Sequence, residues 1–258
     1  IWVSTDGGVS SLPRSERTGS AVAALATHPD LAGVIYAPTA SGLMWSLNAA
    51  LSWQGAGPGL PATPLDPVAI AAHDPQIIYV AVRGDGLWQS KDGAKSWDFA
   101  MDRPLVDKVE VDVQAIASVG SLSGMGGYWV YVGTSKGVSK VPDCFCRWQP
   151  LENTGAIDTL AKGAKPAPID PALRLPHLSA TSLVTAPSAP EVLFAGLPSG
   201  IWKTADSGAT WILVSTKLSA PLLAINPQDP NNIVACDPAG TILCSRDGGV
   251  TWAAPAAV

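Results

Sequence analysis

Aspartate recurs at one place in a short segment that this sequence of 258 residues repeats. Such a carboxylate can accept hydrogen bonds from a turn or contribute to a calcium site. SKDGAKSW, TADSGATW and SRDGGVTW place Asp92, Asp206 and Asp247 third and a tryptophan eighth, and STDGGVSS places Asp6 third. Because an aspartate that opens a turn usually binds that turn's own N–H groups, we interpret these carboxylates as structural and expect no metal site.

We call each such segment a box, and we predict structural roles for its other residues as well. Ser or Thr stands first, a glycine supplies positive φ, and the tryptophan covers the turn with an apolar face. Two decayed copies follow from the spacing, one at 46–53 with Asn48 in place of Asp and one at 141–148. The predicted structural residues are Ser4, Asp6, Gly8, Ser90, Asp92, Trp97, Asp143, Trp148, Thr204, Asp206, Gly208, Trp211, Ser245, Asp247, Gly249 and Trp252.

The boxes end at residues 11, 53, 97, 148, 211 and 252, so most lie a little over 40 residues apart. Between them the pattern reads as an apolar strand, a Pro/Asp turn, a second strand, a Gly turn, a third strand, the box and a last strand. Four strands in such a repeat predict an all-β fold, a β-propeller. Five full blades are predicted, at 20–58, 65–104, 110–152, 178–218 and 219–258.

The chain opens inside a third strand, since Ile1–Ser4 aligns with Ile201–Thr204. We therefore expect a single domain over 1–258 whose first blade lacks its N-terminal part, in a complete protein of six or seven blades. A segment at 150–178 interrupts the period and is predicted to be a surface loop or a contact arm for a partner, because irregular loops on a regular scaffold often carry function.

The boxes resemble the Asp-box, or BNR repeat, and the form GLW followed by the box is most similar to the photosystem II assembly factor, sortilin and xyloglucanase group. The resemblance implies a turn between the third and fourth strands at the outer rim of each blade. It also implies a non-catalytic scaffold that binds other proteins, as an assembly factor or accessory subunit of a membrane-associated complex. The expected location is extracytoplasmic, in a periplasm, a lumen or at a cell surface, with the signal segment not present in this chain.

An alternative is a carbohydrate-binding or glycoside-hydrolysing propeller, as in sialidases and xyloglucanases. The Arg cluster and Tyr–Glu pair of sialidases do not appear, and the box-free carboxylates Asp85 and Asp112 are the only pair suggested for glycosidase chemistry. No catalytic residue is assigned. Arg83 and Asp85, in a turn between strands, and Trp129, the one tryptophan outside the repeat, are predicted to bind a partner.

Composition excludes several classes. The net charge is −5 without a basic stretch, which argues against nucleic acid as a partner. No apolar run is long enough for a transmembrane segment, and no cofactor motif is present. Cys236 and Cys244 flank a turn centred near Gly240 and are predicted to form a cross-strand disulfide. Cys144 and Cys146 could be free, bonded or metal-binding.

Overall fold

The computed structural model describes residues 1–6, 9–14, 19–123, 126–151, 163 and 168–255. Gly8 and most of the 150–178 segment lie outside this range, so their predicted roles are not addressed by it. The described regular structure consists of antiparallel strands and short 3-10 turns, without an α-helix. As predicted, the fold class is an all-β propeller with five four-stranded blades. The chain divides into two compact units, Ile1–Arg103 with the end of the chain, and Pro104–Ala253.

The first unit contains a two-stranded pair and two blades. The first blade has three strands, and isolated bridges that pair Val22 with Thr39 and Ala26 with Tyr36 complete its fourth strand. The strands of the first unit are β1 Trp2–Val3, β2 Leu12–Pro13, β3 Ile35–Thr39, β4 Gly42–Ser46, β5 Gln54–Gly55, β6 Leu65–Ile70, β7 Ile78–Val82, β8 Gly86–Ser90 and β9 Asp98–Asp102.

The second unit contains a short hairpin and three blades. The last blade gains its fourth strand through a bridge between Cys244 and Ala253. Its strands are β10 Leu105–Val106, β11 Val109–Glu110, β12 Val113–Leu122, β13 Tyr128–Thr134, β14 Gly137–Pro142, β15 Gln149–Pro150, β16 Ser182–Ala186, β17 Ala189–Leu197, β18 Gly200–Thr204, β19 Ile212–Ser215, β20 Leu222–Asn226, β21 Asp229–Cys236 and β22 Ile242–Ser245. A 3-10 turn covers Pro171–Leu173.

The second strand of each complete blade forms much of the core. Every residue of β7, IYVAV, is buried, as are Phe194, Ala195 and Leu197 of β17. Such continuous runs of apolar and β-branched residues are typical of strands covered on both faces. Gly196 interrupts the β17 run because the Pro221 carbonyl oxygen from the following blade occupies the space that a Cβ would need. The absence of a side chain there permits close packing of two successive blades.

The box at 204–211 is closed by hydrogen bonds within the turn. The Thr204 Oγ1 hydroxyl donates to Asp206 Oδ1 at 2.8 Å and accepts from the Gly208 N–H at 3.0 Å. The Asp206 carboxylate accepts from the Thr210 N–H at 2.8 Å and from the Thr210 hydroxyl at 2.6 Å. The buried Trp211 indole N–H donates to the Gly208 carbonyl at 3.1 Å. Every polar group named here is therefore engaged inside the box.

The hydroxyl and carboxylate hydrogen bonds recur in the other boxes that begin with Ser. The Trp252 indole N–H likewise donates to the Gly249 carbonyl, whereas the buried Trp97 indole N–H makes no such bond. Hydrogen bonds from the Thr251 and Ser96 hydroxyls and N–H groups hold the pKa of Asp247 and of Asp92 at about 2. At Asn48 the amide substitutes for the carboxylate, because Oδ1 accepts from the Ser52 N–H at 2.9 Å while Nδ2 donates to the Ser52 hydroxyl at 2.9 Å. The assigned structural role of the boxes stays a prediction that substitution can test.

The segment at 141–148 differs from the other boxes. Its first residue is Val141, which has no hydroxyl. The Asp143 carboxylate instead accepts from the Tyr128 N–H at 2.9 Å, outside the turn. A disulfide between Cys144 and Cys146 lies where the other copies have their Ser/Thr and Asp hydrogen bonds. The turn at this position is thus held by a covalent bond in place of the box network.

The predicted disulfide between Cys236 and Cys244 is wrong, because both are free thiols. Cys236 lies opposite Ile242, and Cys244 lies opposite Val234. The intervening turn closes on Asp237, whose Oδ1 accepts from the Thr241 N–H at 2.8 Å and whose carbonyl accepts from the Gly240 N–H at 3.0 Å. This closure fixes a register in which the two cysteines are displaced by two positions.

Candidate functional site

A short hairpin in the second unit forms one wall of a cavity that we call the hairpin groove. Its strands pair Leu105 with Glu110 and Val106 with Val109. Asp107 and Lys108 form the turn with φ values of 51° and 64°, which is the left-handed pair that a tight two-residue hairpin requires. The Leu105 side chain is 62% exposed, so the hairpin presents an apolar residue to the solvent.

The turn between β13 and β14 also lines the groove. The Thr134 hydroxyl shapes this turn by donating to the Gly137 carbonyl at 3.0 Å and accepting from the Lys136 N–H at 3.1 Å. Lys136 Nζ lies 3.9 Å from Asp107 Oδ2, across the groove. Because both side chains are well exposed, the pair is worth at most about 1 kcal/mol, and a ligand carboxylate can compete for the ammonium group.

The floor and third wall come from the following blade and from the described end of the 150–178 segment. Leu151, Leu175 and Trp211 belong to one buried apolar cluster and also line the groove. The Leu173 carbonyl accepts from the Trp211 N–H at 2.7 Å and so attaches the 3-10 turn to the box. Arg174, which follows that turn, donates to the Ile169 carbonyl at 3.3 Å and lines the groove as an exposed cation.

The hairpin groove has a volume of about 250 Å³. Its apolar lining includes Leu105, Val138, Trp148 and Leu175. Lys136 and Arg174 contribute two positive charges against one negative charge from Asp107, whereas the whole chain has 16 Lys and Arg against 21 Asp and Glu. The groove is therefore an apolar recess with a local excess of positive charge on an acidic protein.

Arg83 and Asp85, predicted to bind a partner, lie in the first unit and do not line the groove. Arg83 donates to both carboxylate oxygens of Asp66, at 3.1 Å from Nε and 2.5 Å from Nη2. The Asp85 carboxylate accepts from the Trp88 indole N–H at 2.6 Å. Both side chains thus have partners within their own blade, and their role in binding stays a prediction.

Trp129 is half-buried in the second unit and packs against the apolar cluster of Leu151 and Trp211. Lys140 is almost fully buried, and its Nζ lies 4.4 Å from the centre of the Trp129 ring, a cation–π distance. One face of the indole is therefore occupied by the ammonium group. The structure does not bring Trp129 to the groove.

Sequence reasoning missed Leu105, Lys136 and the hairpin itself, although two signals were present. The stretch LVDKVE places a polar pair between apolar residues, which is the pattern of a tight hairpin. The 150–178 segment is predicted to be a surface loop or a contact arm, and its described residues Arg174–His177 line the groove. Among the described residues no group of three or more His, Cys, Asp or Glu could hold a metal ion.

No family model matches the chain, and no curated protein matches it in sequence. Solved structures match it in fold. The GH74 enzyme of Niastella koreensis is 17% identical with a TM-score of 0.56, over 90% of this chain and 38% of that one. An extracellular domain from B. thetaiotaomicron is 13% identical with a TM-score of 0.58, over 95% and 31%.

YCF48 from Cyanidioschyzon merolae is 15% identical over 91% of this chain and 84% of that one, but its TM-score of 0.45 supports no argument. The chain spans about a third of the length of the GH74 enzyme and of the extracellular domain. At these identities the likeness shows the fold alone, and it defines the chain as a β-propeller protein. Within the described part of the chain no helix has the length and hydropathy of a membrane span.

Proposed function

We propose that this chain is a non-catalytic β-propeller that binds other proteins through the hairpin groove. The observation that carries the proposal is the combination of exposed apolar walls with Lys136 and Arg174 in one recess. The expected ligand is a short, extended segment of a partner protein that carries an apolar side chain next to a carboxylate. Burial of the apolar side chain supplies affinity, and the two cations select the acidic neighbour.

The size of the recess supports this kind of ligand. Pockets for small molecules and cofactors typically enclose roughly 300–1,000 Å³. The hairpin groove encloses about 250 Å³ and is open to solvent along the hairpin. One or two anchoring side chains fit such a volume, while the rest of the partner segment lies along the exposed Leu105 and the half-buried Lys136.

The boxes support a more specific form of this proposal. Their resemblance to the Asp-box supports a scaffold that acts as an assembly factor or accessory subunit of a membrane-associated complex, on the extracytoplasmic side. In such a role the propeller would hold its loops rigidly while one of them contacts the partner. The likeness in fold to an extracellular domain is consistent with that location.

The test is selection of short linear peptides from a phage-displayed library on the purified chain. We expect the enriched peptides to combine apolar residues with Asp or Glu. Their affinity should fall at least about tenfold in the Lys136→Glu/Arg174→Glu variant, because each lost charge contact to a bound carboxylate is worth about 1 kcal/mol or more. Lys91→Glu/Arg246→Glu is the matched control, since it makes the same change of charge at two exposed positions away from the groove.

Two results would contradict the proposal. One is peptide binding that both double variants weaken equally, which would indicate a general effect of charge. The other is binding or cleavage of xyloglucan oligosaccharides by the native chain together with no enriched peptide, which would favour the carbohydrate alternative.

A further inference from the structure

The Cys144–Cys146 disulfide lies in the loop that joins β14 to β15. Both ends of this loop are held, because the Asp143 N–H donates to the Tyr128 carbonyl at 2.8 Å and Lys140 pairs with Gln149 of β15. The Phe145 N–H donates to the Pro142 carbonyl at 2.8 Å. The two sulfur atoms therefore belong to a short loop that is anchored at both ends.

The disulfide closes a very short segment of chain, because only Phe145 lies between the two cysteines. Disulfides stabilise a fold mainly by restricting the unfolded chain, and this effect is smaller when the closed segment is shorter. Phe145 has a left-handed φ of 50°, but so do Ala50 and Ala94 at the same place in two boxes without a disulfide, so the bond does not impose this conformation. Opening the bond therefore removes little stabilisation because the closed segment is short.

Both bonded cysteines are exposed to solvent. Exchange requires a thiolate to reach one of the two sulfur atoms, and exposed disulfides are the labile ones. The two free cysteines, Cys236 and Cys244, are only half-exposed and serve as an internal comparison.

We propose that Cys144 and Cys146 form a reversible thiol–disulfide exchange site that reacts with dithiols. One thiolate of the dithiol attacks a cysteine sulfur, the Cys144–Cys146 bond breaks, and a mixed disulfide forms. The second thiolate of the dithiol then attacks the dithiol sulfur of that mixed disulfide. The cysteine thiolate leaves, and the dithiol closes its own disulfide. Two electrons pass to the protein, the dithiol becomes a disulfide, and its two protons complete the thiols of Cys144 and Cys146.

The redox state of this site also reaches the hairpin groove. Trp148 follows Cys146 by two residues and lines the groove. The two-residue strand β15 follows Trp148 directly. Opening the bond removes the constraint between positions 144 and 146, and we expect the Trp148 side chain to change its position at the groove wall.

The experiment incubates the native chain in buffers with an increasing ratio of reduced to oxidised dithiothreitol, and then traps it with acid and an alkylating agent. Trypsin separates the sites, because the fragment 141–147 contains both bonded cysteines and the fragment 218–246 contains both free ones. We expect 141–147 to pass from no alkyl groups to two across the series while the far-ultraviolet circular dichroism stays constant. Cys236→Ser/Cys244→Ser is the control and should give the same curve for 141–147.

A fragment 141–147 that stays unlabelled at every ratio that preserves the folded state would overturn the proposal. The link to the groove has a separate readout in tryptophan fluorescence. Reduction should shift the emission of the wild type and leave that of Trp148→Phe and of Cys144→Ser/Cys146→Ser unchanged. Trp45→Phe, in the first unit, should retain the shift. Equal loss of the shift in Trp45→Phe would overturn the link.

Discussion

Replacement of Asp206 by alanine tests whether the box is a structural turn. The carboxylate accepts three hydrogen bonds, from the Thr204 hydroxyl and from the Thr210 N–H and hydroxyl. A hydrogen bond to a protein group is worth about 0.5–1.5 kcal/mol net. Water replaces part of the loss because Asp206 is exposed, whereas Thr204 is buried and loses its acceptor. We therefore expect Asp206→Ala to lower the free energy of unfolding by about 2 kcal/mol.

Asp206→Asn is the matched control, since the chain already contains this exchange at Asn48. There the amide accepts from the Ser52 N–H and donates to the Ser52 hydroxyl. The same two contacts are available at Thr210, so Asp206→Asn should cost less than about 1 kcal/mol. Urea unfolding followed by tryptophan fluorescence measures both changes as shifts of the midpoint.

Acidification distinguishes the two variants further. Burial raises the pKa of Asp206, but the hydrogen bonds from Thr210 and Thr204 outweigh it and the pKa lies below its ordinary value of 3.8. Stability from the ionised carboxylate is therefore complete above about pH 4 and is lost as the pH falls below that value. The difference between wild type and Asp206→Asn should shrink over this interval. Asp206→Ala with an unchanged midpoint at neutral pH, or Asp206→Asn as damaging as Asp206→Ala, would refute the structural interpretation.

Three further substitutions and one control test the packing of the blades and one ion pair. Gly196→Ala should destabilise by about 1–3 kcal/mol because its Cβ meets the carbonyl of the following blade; Gly120→Ala, where a Cβ meets nothing, should be nearly neutral in the same urea series. Arg83→Ala should cost less than about 1 kcal/mol, since the Arg83–Asp66 pair is exposed on the arginine side, and a larger cost in thermal unfolding would contradict this. Trp211→Ala should cost about 3–5 kcal/mol, because it leaves a cavity in the core, and a loss below about 1 kcal/mol would show that the tryptophan does not hold the turn.

The fold could be predicted because every box except the segment at 141–148 closes with hydrogen bonds among its own residues. Thr204, Asp206 and Thr210 need no distant partner to form the turn, so the local sequence determines its geometry. Strand number and order then follow from the spacing of the turns and the apolar segments between them.

The site could not be predicted in this way because it depends on register and on placement in space. The predicted pairing of Cys236 with Cys244 is wrong by two positions along the strands, because the Asp237 side chain determines where the turn closes. Likewise, Asp107 and Lys136 come within 3.9 Å only because a hairpin outside the repeat folds towards a turn inside it. Neither the register of the last hairpin nor the Asp107–Lys136 contact produces a repeating pattern in the sequence.

The departures from the repeat are concentrated around one blade, the one built from β12 to β15. The hairpin of Leu105–Glu110 precedes it, the Cys144–Cys146 loop replaces its box, and the 150–178 segment follows it. The box at 46–53 keeps its turn with Asn48 in place of aspartate, whereas the segment at 141–148 has a disulfide in place of the box hydrogen bonds. Because all three irregular segments supply residues to one recess or lie next to it, the regular blades position the site and the irregular segments give it its chemistry.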